Sequence, residues 1–363
     1  MEKAKRIYLD IHILQTVPPS CLNRDDTGSP KTATYGGVTR ARVSSQCWKR
    51  AVRLMFRDMF NADKLGSRTK RIVPMVAQEI AKLAPDTDAE KLSKAILTAA
   101  GLKLKDEKQP EKGTDALFFM SSAQAAALAK LAVENPELLD GKGKDEAKAA
   151  LLAAPAIDVA LFGRMVADDP SLNNDACAQV AHSISTHAVH NEYDYFTAVD
   201  DCAPEDNAGA GHIGTVEYNS STLYRYATVA VHELLKQLGD DTPAAVHAFV
   251  DAFVRSMPTG KQNTFANRTL PSAVYVTIRE DQPVNLAGAF ERPVQSDGKG
   301  YEEASQRRLV EQAQKTYREY VEKPEVALAV GDTLGEVATV MSFQELLKTI
   351  DEWMEKRLGK EDA

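Results

Sequence analysis

The order of polarity patterns along the chain predicts an α+β fold. Its nucleus is a ferredoxin-like sheet of four strands with two helices on one face, broken by large insertions. Three observations carry this. Residues 6–14, RIYLDIHIL, alternate with period two. A helical pattern follows over about 45–60, and strand, helix and strand patterns return after position 216.

In chain order, Ile7, Leu9, Ile11 and Ile13 form one face of the first strand, and Tyr8, Asp10, His12 and Leu14 the other. Pro18, Pro19, Gly28, Pro30, Gly36 and Gly37 then mark a loop. Ser44 or Ser45 can cap the helix that runs to about Phe60. On it Trp48, Val52, Met55 and Met59 share one arc, and Lys49, Arg50, Arg53 and Arg57 the adjoining one. One face therefore packs on the sheet while its edge offers cations.

Residues 72–155 read as an inserted helical subdomain, with breaks near Pro85, Gly101, Pro110, Pro136 and Gly141–Gly143. A weak strand near 178–189 leads to an acidic, glycine-bearing loop over about 190–214. VEYNSSTLYRYATVAV (216–231) reads as a hairpin or a long strand. A helix (243–256), a loop (258–267) and the strand AVYVTIRE (273–280) come next. Helices near 284–291, 302–321 and 343–358 complete the reading. No repeat of fixed period occurs.

The chain has 363 residues and a formal net charge of −8. That length suits one large domain or about two ordinary ones. The longest stretch without a charged residue, 176–191, is too short and too polar to span a membrane. Asp10 and His12 interrupt the apolar start, so no secretory h-region is read there. Four cysteines (21, 47, 177, 202) form no CxxC pair, which points to a reducing, cytoplasmic setting without disulfides.

An acidic total argues against a nucleic-acid ligand, but the charge is uneven. Between Arg24 and Arg71 stand twelve basic and four acidic residues, a net +8, which leaves −16 for the remainder. Local charge decides where an anion binds. A solvated basic face is the plain alternative.

Four further features bear on chemistry. GAGHIG (209–214) is a literal GxGxxG, but an acidic loop precedes it and a strand pattern follows, the wrong setting for a dinucleotide. His182, His187 and His190 cluster without a zinc-protease spacing, so structural or RNA-contacting roles outweigh metal. Asp25 and Asp26 are adjacent acids in a loop, with pairing to nearby Arg as the alternative to acid–base work. Tyr195 and Phe196 suit core anchoring, or stacking against a base. Walker-type and GxSxG signatures are missing.

Several segments together resemble a known family. They are PSCLNRDD (19–26), YGG (35–37), RARVSSQCWKRAVR (40–53), GRM (163–165), AHSISTH (181–187), DYFTAVDD (194–201), HIGTVEYNSSTLYRYA (212–227), GKQNTFA (260–266) and AGAFE (287–291). The chain resembles the backbone subunit, CasC-type, of the type I-E CRISPR Cascade complex. The likeness is collinear from the first strand to about residue 291. The helical insertion and the C-terminal helices match only in character.

The resemblance implies a palm with an RNA-recognition-like (RRM-like) fold, a helical finger domain and a thumb loop. The corresponding ranges are palm 1–61, fingers 62–160, palm 161–189, thumb 190–214, and 215–363 for the second half of the palm with the C-terminal helices. It implies no enzymatic activity and no cofactor or metal. The implied partners are a CRISPR RNA, target DNA paired to it, further copies of this chain in a hexameric helical backbone, and other Cascade subunits, with no membrane. It places Arg24, Gln46, Lys49, Arg50, Arg53 and Lys261 where the family grips the RNA backbone. Met165, Phe196, Thr197 and Val199 stand where it packs against bases at a kink of the guide. Backbone contact suits a guide of any sequence, since pairing supplies specificity. A guide- or target-cleaving endoribonuclease using Asp25 or Asp26 is the alternative, and an oxidoreductase resting on GAGHIG a third.

Overall fold

The computed structural model describes residues 6–104, 114, 117–135, 143–166, 169–198, 202 and 212–359. The architecture is α+β: twelve strands and eleven α-helices are assigned among these residues. They fall into two compact units. The first comprises 1–52, 180–228 and 249–363; the second comprises 53–179 and 229–248. Among the described residues, no helix is long and apolar enough to cross a membrane.

The first unit is built on a long mixed sheet. Its strands are β1 (Tyr8–Ser20), β2 (Thr32–Tyr35), β3 (Val38–Val43), β7 (Ser183–Ser185), β9 (His212–Ala230), β10 (Ala273–Arg279), β11 (Val326–Val330) and β12 (Thr339–Val340). They lie in the order β12-β11-β10-β1-β9-β7-β3-β2, and β6 (Ala178–Val180) and β8 (Glu192–Ala198) also pair with β9. β1 and β10 are antiparallel from Tyr8↔Arg279 to Leu14↔Ala273. Beyond Leu14 that edge of β1 has no such partner among the described strands. Pro18, which shares Leu14's edge, therefore forfeits no ladder hydrogen bond there, and the strand runs on to Ser20. The loop expected from about residue 15 starts later as a result.

Helix α1 (Ser45–Met55) opens at Ser44, whose Oγ accepts from the Cys47 N–H. It ends at Met55 and tightens into a 3₁₀ turn, Phe56–Asp58, short of the expected Phe60. Its buried residues are Trp48, Ala51 and Val52. Trp48 donates from its indole N–H to Ser183 Oγ at 2.8 Å, which fixes the helix on the sheet. On another face, α10 (Glu302–Glu319) brings Tyr317 to Tyr275, their hydroxyls 2.8 Å apart. All seven residues of β10 are buried, as both faces of a covered sheet require.

A polar network lies inside this unit. Asp10 accepts from the Tyr226 hydroxyl and the Val284 N–H, and His12 Nδ1 meets the Tyr224 hydroxyl at 2.9 Å. Burial raises the Asp10 carboxyl to about 6 and lowers the His12 imidazole to about 3.

Five strands escape the sequence pattern here: β2, β3, β8, β11 and β12. β2 and β3 form a hairpin where a loop is expected, turned by Gly36 and Gly37 at φ 60° and 78°. β8 pairs with the first half of β9 from Glu192↔Tyr218 to Ala198↔His212, inside the expected loop. β11 is a short apolar run paired to β10. The helix expected at 284–291 is only a 3₁₀ turn, Ala287–Phe290. α11 (Phe343–Leu358) starts with a capping box, Ser342 with Glu345.

The second unit is mostly helical, with α2 (Ile72–Leu83), α3 (Ala89–Ala99), α4 (Ser122–Glu134), α5 (Lys144–Leu152) and α6 (Ile157–Phe162). Ile72, Val76, Ile80, Ile96 and Leu128 share one buried core in it. A two-stranded sheet of β4 (Gly66–Thr69) and β5 (Phe118–Ser121) interrupts the expected all-helical insertion. Helix α7 (Val231–Leu238) also belongs to this unit, and α8 (Thr242–Arg255) starts in it.

Candidate nucleic-acid interface

The loop between β1 and β2 is built by one carboxylate. Asp25 Oδ1 accepts from the Thr27 N–H at 2.9 Å, the Thr27 hydroxyl at 2.7 Å and the Ser29 N–H at 3.0 Å. These bonds hold the Asp25 carboxyl below its ordinary range, with the Thr27 hydroxyl the largest cause. Arg24 bridges to Pro30 across the loop and stays exposed. Asn23 ties the loop to α1: its Oδ1 accepts from the Ser44 N–H at 2.9 Å, and its carbonyl from the Lys31 N–H at 2.8 Å.

The 258–267 segment meets the same loop. A Cβ on Gly260 would lie 2.1 Å from the Leu22 carbonyl oxygen, so only glycine lets the two backbones approach. Lys261 follows with φ 49°. The buried Cys21 thiol is pushed up by burial and drawn back by the charges of Arg24 and Lys261, so both cations act on one spot. The close approach at Gly260 thus brings Lys261 to the loop that carries Arg24, far from it in sequence.

On α1, Gln46 and Arg50 are exposed and Lys49 is half-buried, with burial lowering its ammonium pKa. Three more residues of the first unit line this region. Arg42 donates from Nε to the Thr32 carbonyl at 3.2 Å, and its Nη1 lies 3.1 Å from His182 Nδ1. Arg42 and Lys31 depress the His182 imidazole, after burial. Lys31 and Arg42 are not among the expected site residues, although both belong to the basic segment; His182 belongs to the histidine cluster for which an RNA-contacting role is expected.

Not every cation of the basic segment is available to a ligand. Arg40 is fully buried and donates to the carbonyls of Tyr35, Ser185, Phe290 and Glu291. In the second unit, Arg53 Nε donates to Asp158 Oδ2 at 3.1 Å, and its guanidinium lies over the Phe119 ring at 4.3 Å. Asp158, 3% exposed, also accepts from the Gly66 N–H, and burial raises its pKa. Arg53 thus already has an anion beside it.

Met165, also in the second unit, is 83% exposed, while Arg164 and Val166 on either side are buried. Arg164 donates to the carbonyls of Leu172, Phe119 and Leu151, and the Val166 N–H to Asn173 Oδ1. Anchored neighbours leave Met165 to project.

The β8–β9 ribbon of the first unit carries apolar side chains on both faces. All seven β8 residues are exposed. The register puts Phe196 opposite Gly214, where a Cβ would lie 2.4 Å from the Phe196 ring, so the ring covers the glycine. Thr197 pairs with Ile213, on the face of Tyr193 and Tyr195. Val199, together with the acidic and glycine-rich part of the loop before His212, lies outside the described residues.

The rival chemistries find less. His212–Gly214 belong to a strand of 19 residues, so no helix N-terminus follows the GxGxxG to face a pyrophosphate. His187 is buried, stacked on Tyr301 at 3.6 Å, and its Nε2 accepts from the Thr222 N–H. Among the described residues no group of three His, Cys, Asp or Glu is placed to hold a metal. The four cysteines are free thiols.

Comparison with known proteins follows the same line. A chain of a "CRISPR RNA-guided surveillance complex, pre-nicking" is similar to this one with TM-score 0.83 and 31% identity, over 95% of this chain and 99% of that chain. A chain of a "CRISPR RNA-guided surveillance complex" is similar with TM-score 0.62 and 28% identity, over 95% and 99% respectively. No curated protein matches. The fold is that of chains found in CRISPR RNA-guided surveillance complexes. Residues 9–356 match the model of the CT1975-like protein family, and the chain belongs to that family. The match runs well past residue 291, so the C-terminal helices are part of the family's fold.

Proposed function

We propose that this chain is an RNA-binding backbone subunit of a type I-E Cascade complex, the CasC-type protein. It coats the spacer part of a CRISPR RNA and presents it for pairing with target DNA. The observation that carries this is the convergence of Arg24, Lys31, Arg42, Lys49, Arg50 and Lys261 around one loop and the start of α1. Cations on such a surface neutralise phosphates without reading bases, as a guide of any sequence demands.

The palm of this reading is RRM-like. The strand order β10-β1-β9-β7, with α1 after β1 and α8 between β9 and β10, supports it. Its sheet is covered on both faces, so bases meet the edge cations and the ribbon instead of stacking on the sheet. The second unit supplies the fingers, and the β8–β9 ribbon the thumb. Met165 and Phe196, large apolar groups that do not select a base, hold the guide at kinks. Copies join head to tail into an open helical filament on the RNA, a hexameric backbone in the complex, alongside the other subunits. The complex works in the cytoplasm. The chain does no chemistry: the Asp25 carboxylate builds its own loop, a poor arrangement for moving protons.

The test is titration of purified full-length chain with single-stranded RNA of mixed sequence, followed by anisotropy at several salt concentrations and by electron microscopy. Tight, salt-sensitive binding with elongated particles is expected. Loss of the RNA's length, in a metal-dependent reaction abolished by Asp25→Ala, would instead establish a nuclease.

A further inference from the structure

Beneath the cations of the first unit is a small, half-open cavity of about 20 Å³ with a mixed lining, in which Leu22, Val43 and Leu223 stand among the polar groups. Its walls include Asn23, Lys31 and Arg42, and its lining also includes Ser20 from the end of β1 with Asn219 and Ser221 from β9. Ser20, Asn219 and Ser221 are 4%, 7% and 6% exposed. Among the described residues neither serine hydroxyl has a hydrogen-bond partner, and neither is sealed from the cavity. Asn219 is fixed by its Nδ2, which donates to Asn191 Oδ1 at 3.0 Å, and Asn191 in turn donates to Glu217. Asn23 Oδ1 is taken by the Ser44 N–H, so the amide left over is a donor.

Size and chemistry narrow the occupant. About one water-sized group fits such a volume. A nucleobase or a whole phosphate group would stay largely outside the enclosed part. The floor is neutral and offers hydroxyls that both donate and accept. Cations stand only at the walls. A single hydroxyl beside a phosphate meets all of these conditions, and in a nucleic-acid strand that group is the ribose 2′-hydroxyl, which distinguishes RNA from DNA.

We infer that Ser20, Ser221 and Asn219 form a 2′-hydroxyl pocket, so that this subunit selects RNA over DNA of the same sequence. Lys31 and Arg42 hold the neighbouring phosphate. The inference rests on the RNA-binding reading above and assigns that surface its sugar specificity.

The test compares full-length protein with one sequence made as RNA, DNA and fully 2′-O-methyl RNA, read by anisotropy. Wild type is expected to favour RNA over both others, because DNA lacks the hydroxyl and 2′-O-methylation removes its O–H donor. Ser20→Ala with Ser221→Ala is expected to weaken RNA binding about three- to tenfold, the equivalent of about one hydrogen bond. DNA affinity and the salt slope should stay as in wild type. Equal wild-type affinity for RNA and DNA overturns the pocket, as does an RNA preference that the double variant leaves intact. If the double variant fails to fold, the single variants Ser20→Ala and Ser221→Ala are read in its place, and an RNA preference that both leave intact overturns the pocket. Binding to no strand at low salt overturns the RNA-binding reading itself, a different outcome from failure of the pocket.

Discussion

The guanidinium of Arg225 lies flat against the indole of Trp48, its Cζ 3.7 Å from the ring centroid. Phe253 covers Arg225 at 4.7 Å, and Gln15 Oε1 accepts from its Nη1 at 2.6 Å. Burial lowers the Arg225 pKa to about 9, so the group is still a cation at neutral pH. The stack joins α1 to β9 in the first unit and so sets where Gln46, Lys49 and Arg50 stand. Arg225→Met is expected to lower stability by about 3 kcal/mol, because it removes the cation–π stacking and leaves the Gln15 oxygen unpaired. Urea unfolding at fixed pH measures it.

Lys49 and Arg50 should behave differently from Arg53. Lys49→Ala with Arg50→Ala is expected to weaken RNA binding and to reduce the log–log salt slope by roughly 0.7 for each phosphate that is no longer neutralised. Arg53→Ala removes the partner of a buried carboxylate. Its expected signature is a loss of about 1–3 kcal/mol in unfolding free energy. Parallel anisotropy and unfolding measurements separate the two classes.

These distinctions also mark how far the sequence can be read. β1 is legible because its apolar residues alternate, although Leu9 through Gln15 are all buried on both faces, and the start of α1 because Trp48 and Val52 fall on one arc. β8 is not, since all its residues face solvent and leave no alternation to detect. The β2–β3 hairpin has its signal in Gly36–Gly37, which reads equally as loop punctuation. The basic segment is legible as charge. What its arginines touch is not, because Arg40, Arg53 and Arg50 look alike until distant carbonyls and carboxylates close around two of them. The link between Arg24 and Lys261 depends on a close backbone approach at one glycine, far along the chain from the loop it meets.

Gly260 offers a direct probe of that link. Gly260→Ala puts a methyl group against the Leu22 carbonyl and must move backbone. A lower melting temperature is expected, from about 1–3 kcal/mol of overpacking, together with weaker RNA binding. Lys261→Ala should weaken binding alone. Thermal melts beside anisotropy would show whether Gly260 sets the position of the Lys261 cation.

His12 sets an acid limb of stability. Its folded pKa is about 3 against 6.5 for the free side chain, lowered by burial and then by the charge of Arg279. Below pH 6.5 the unfolded chain takes up a proton that the folded chain refuses, so His12 costs stability progressively down to about pH 3. Asp10, with a folded pKa of about 6 against 3.8, acts in the opposite sense between those values, adding stability as the pH falls. His12→Gln is expected to remove only the first contribution. The difference between variant and wild-type unfolding free energies should therefore shift in the variant's favour from about pH 7 to about pH 4.5.

Arg40 gathers the carbonyls of Tyr35, Ser185, Phe290 and Glu291, which come from three distant stretches of the first unit. A planar fork with five N–H groups can reach them together, whereas an ammonium on a flexible stem cannot. Conservation of charge is therefore the wrong measure of a safe exchange here. Lysine in place of Arg50 keeps what a phosphate would sense, while lysine in place of Arg40 unties the knot that keeps the hairpin's turn against its neighbours.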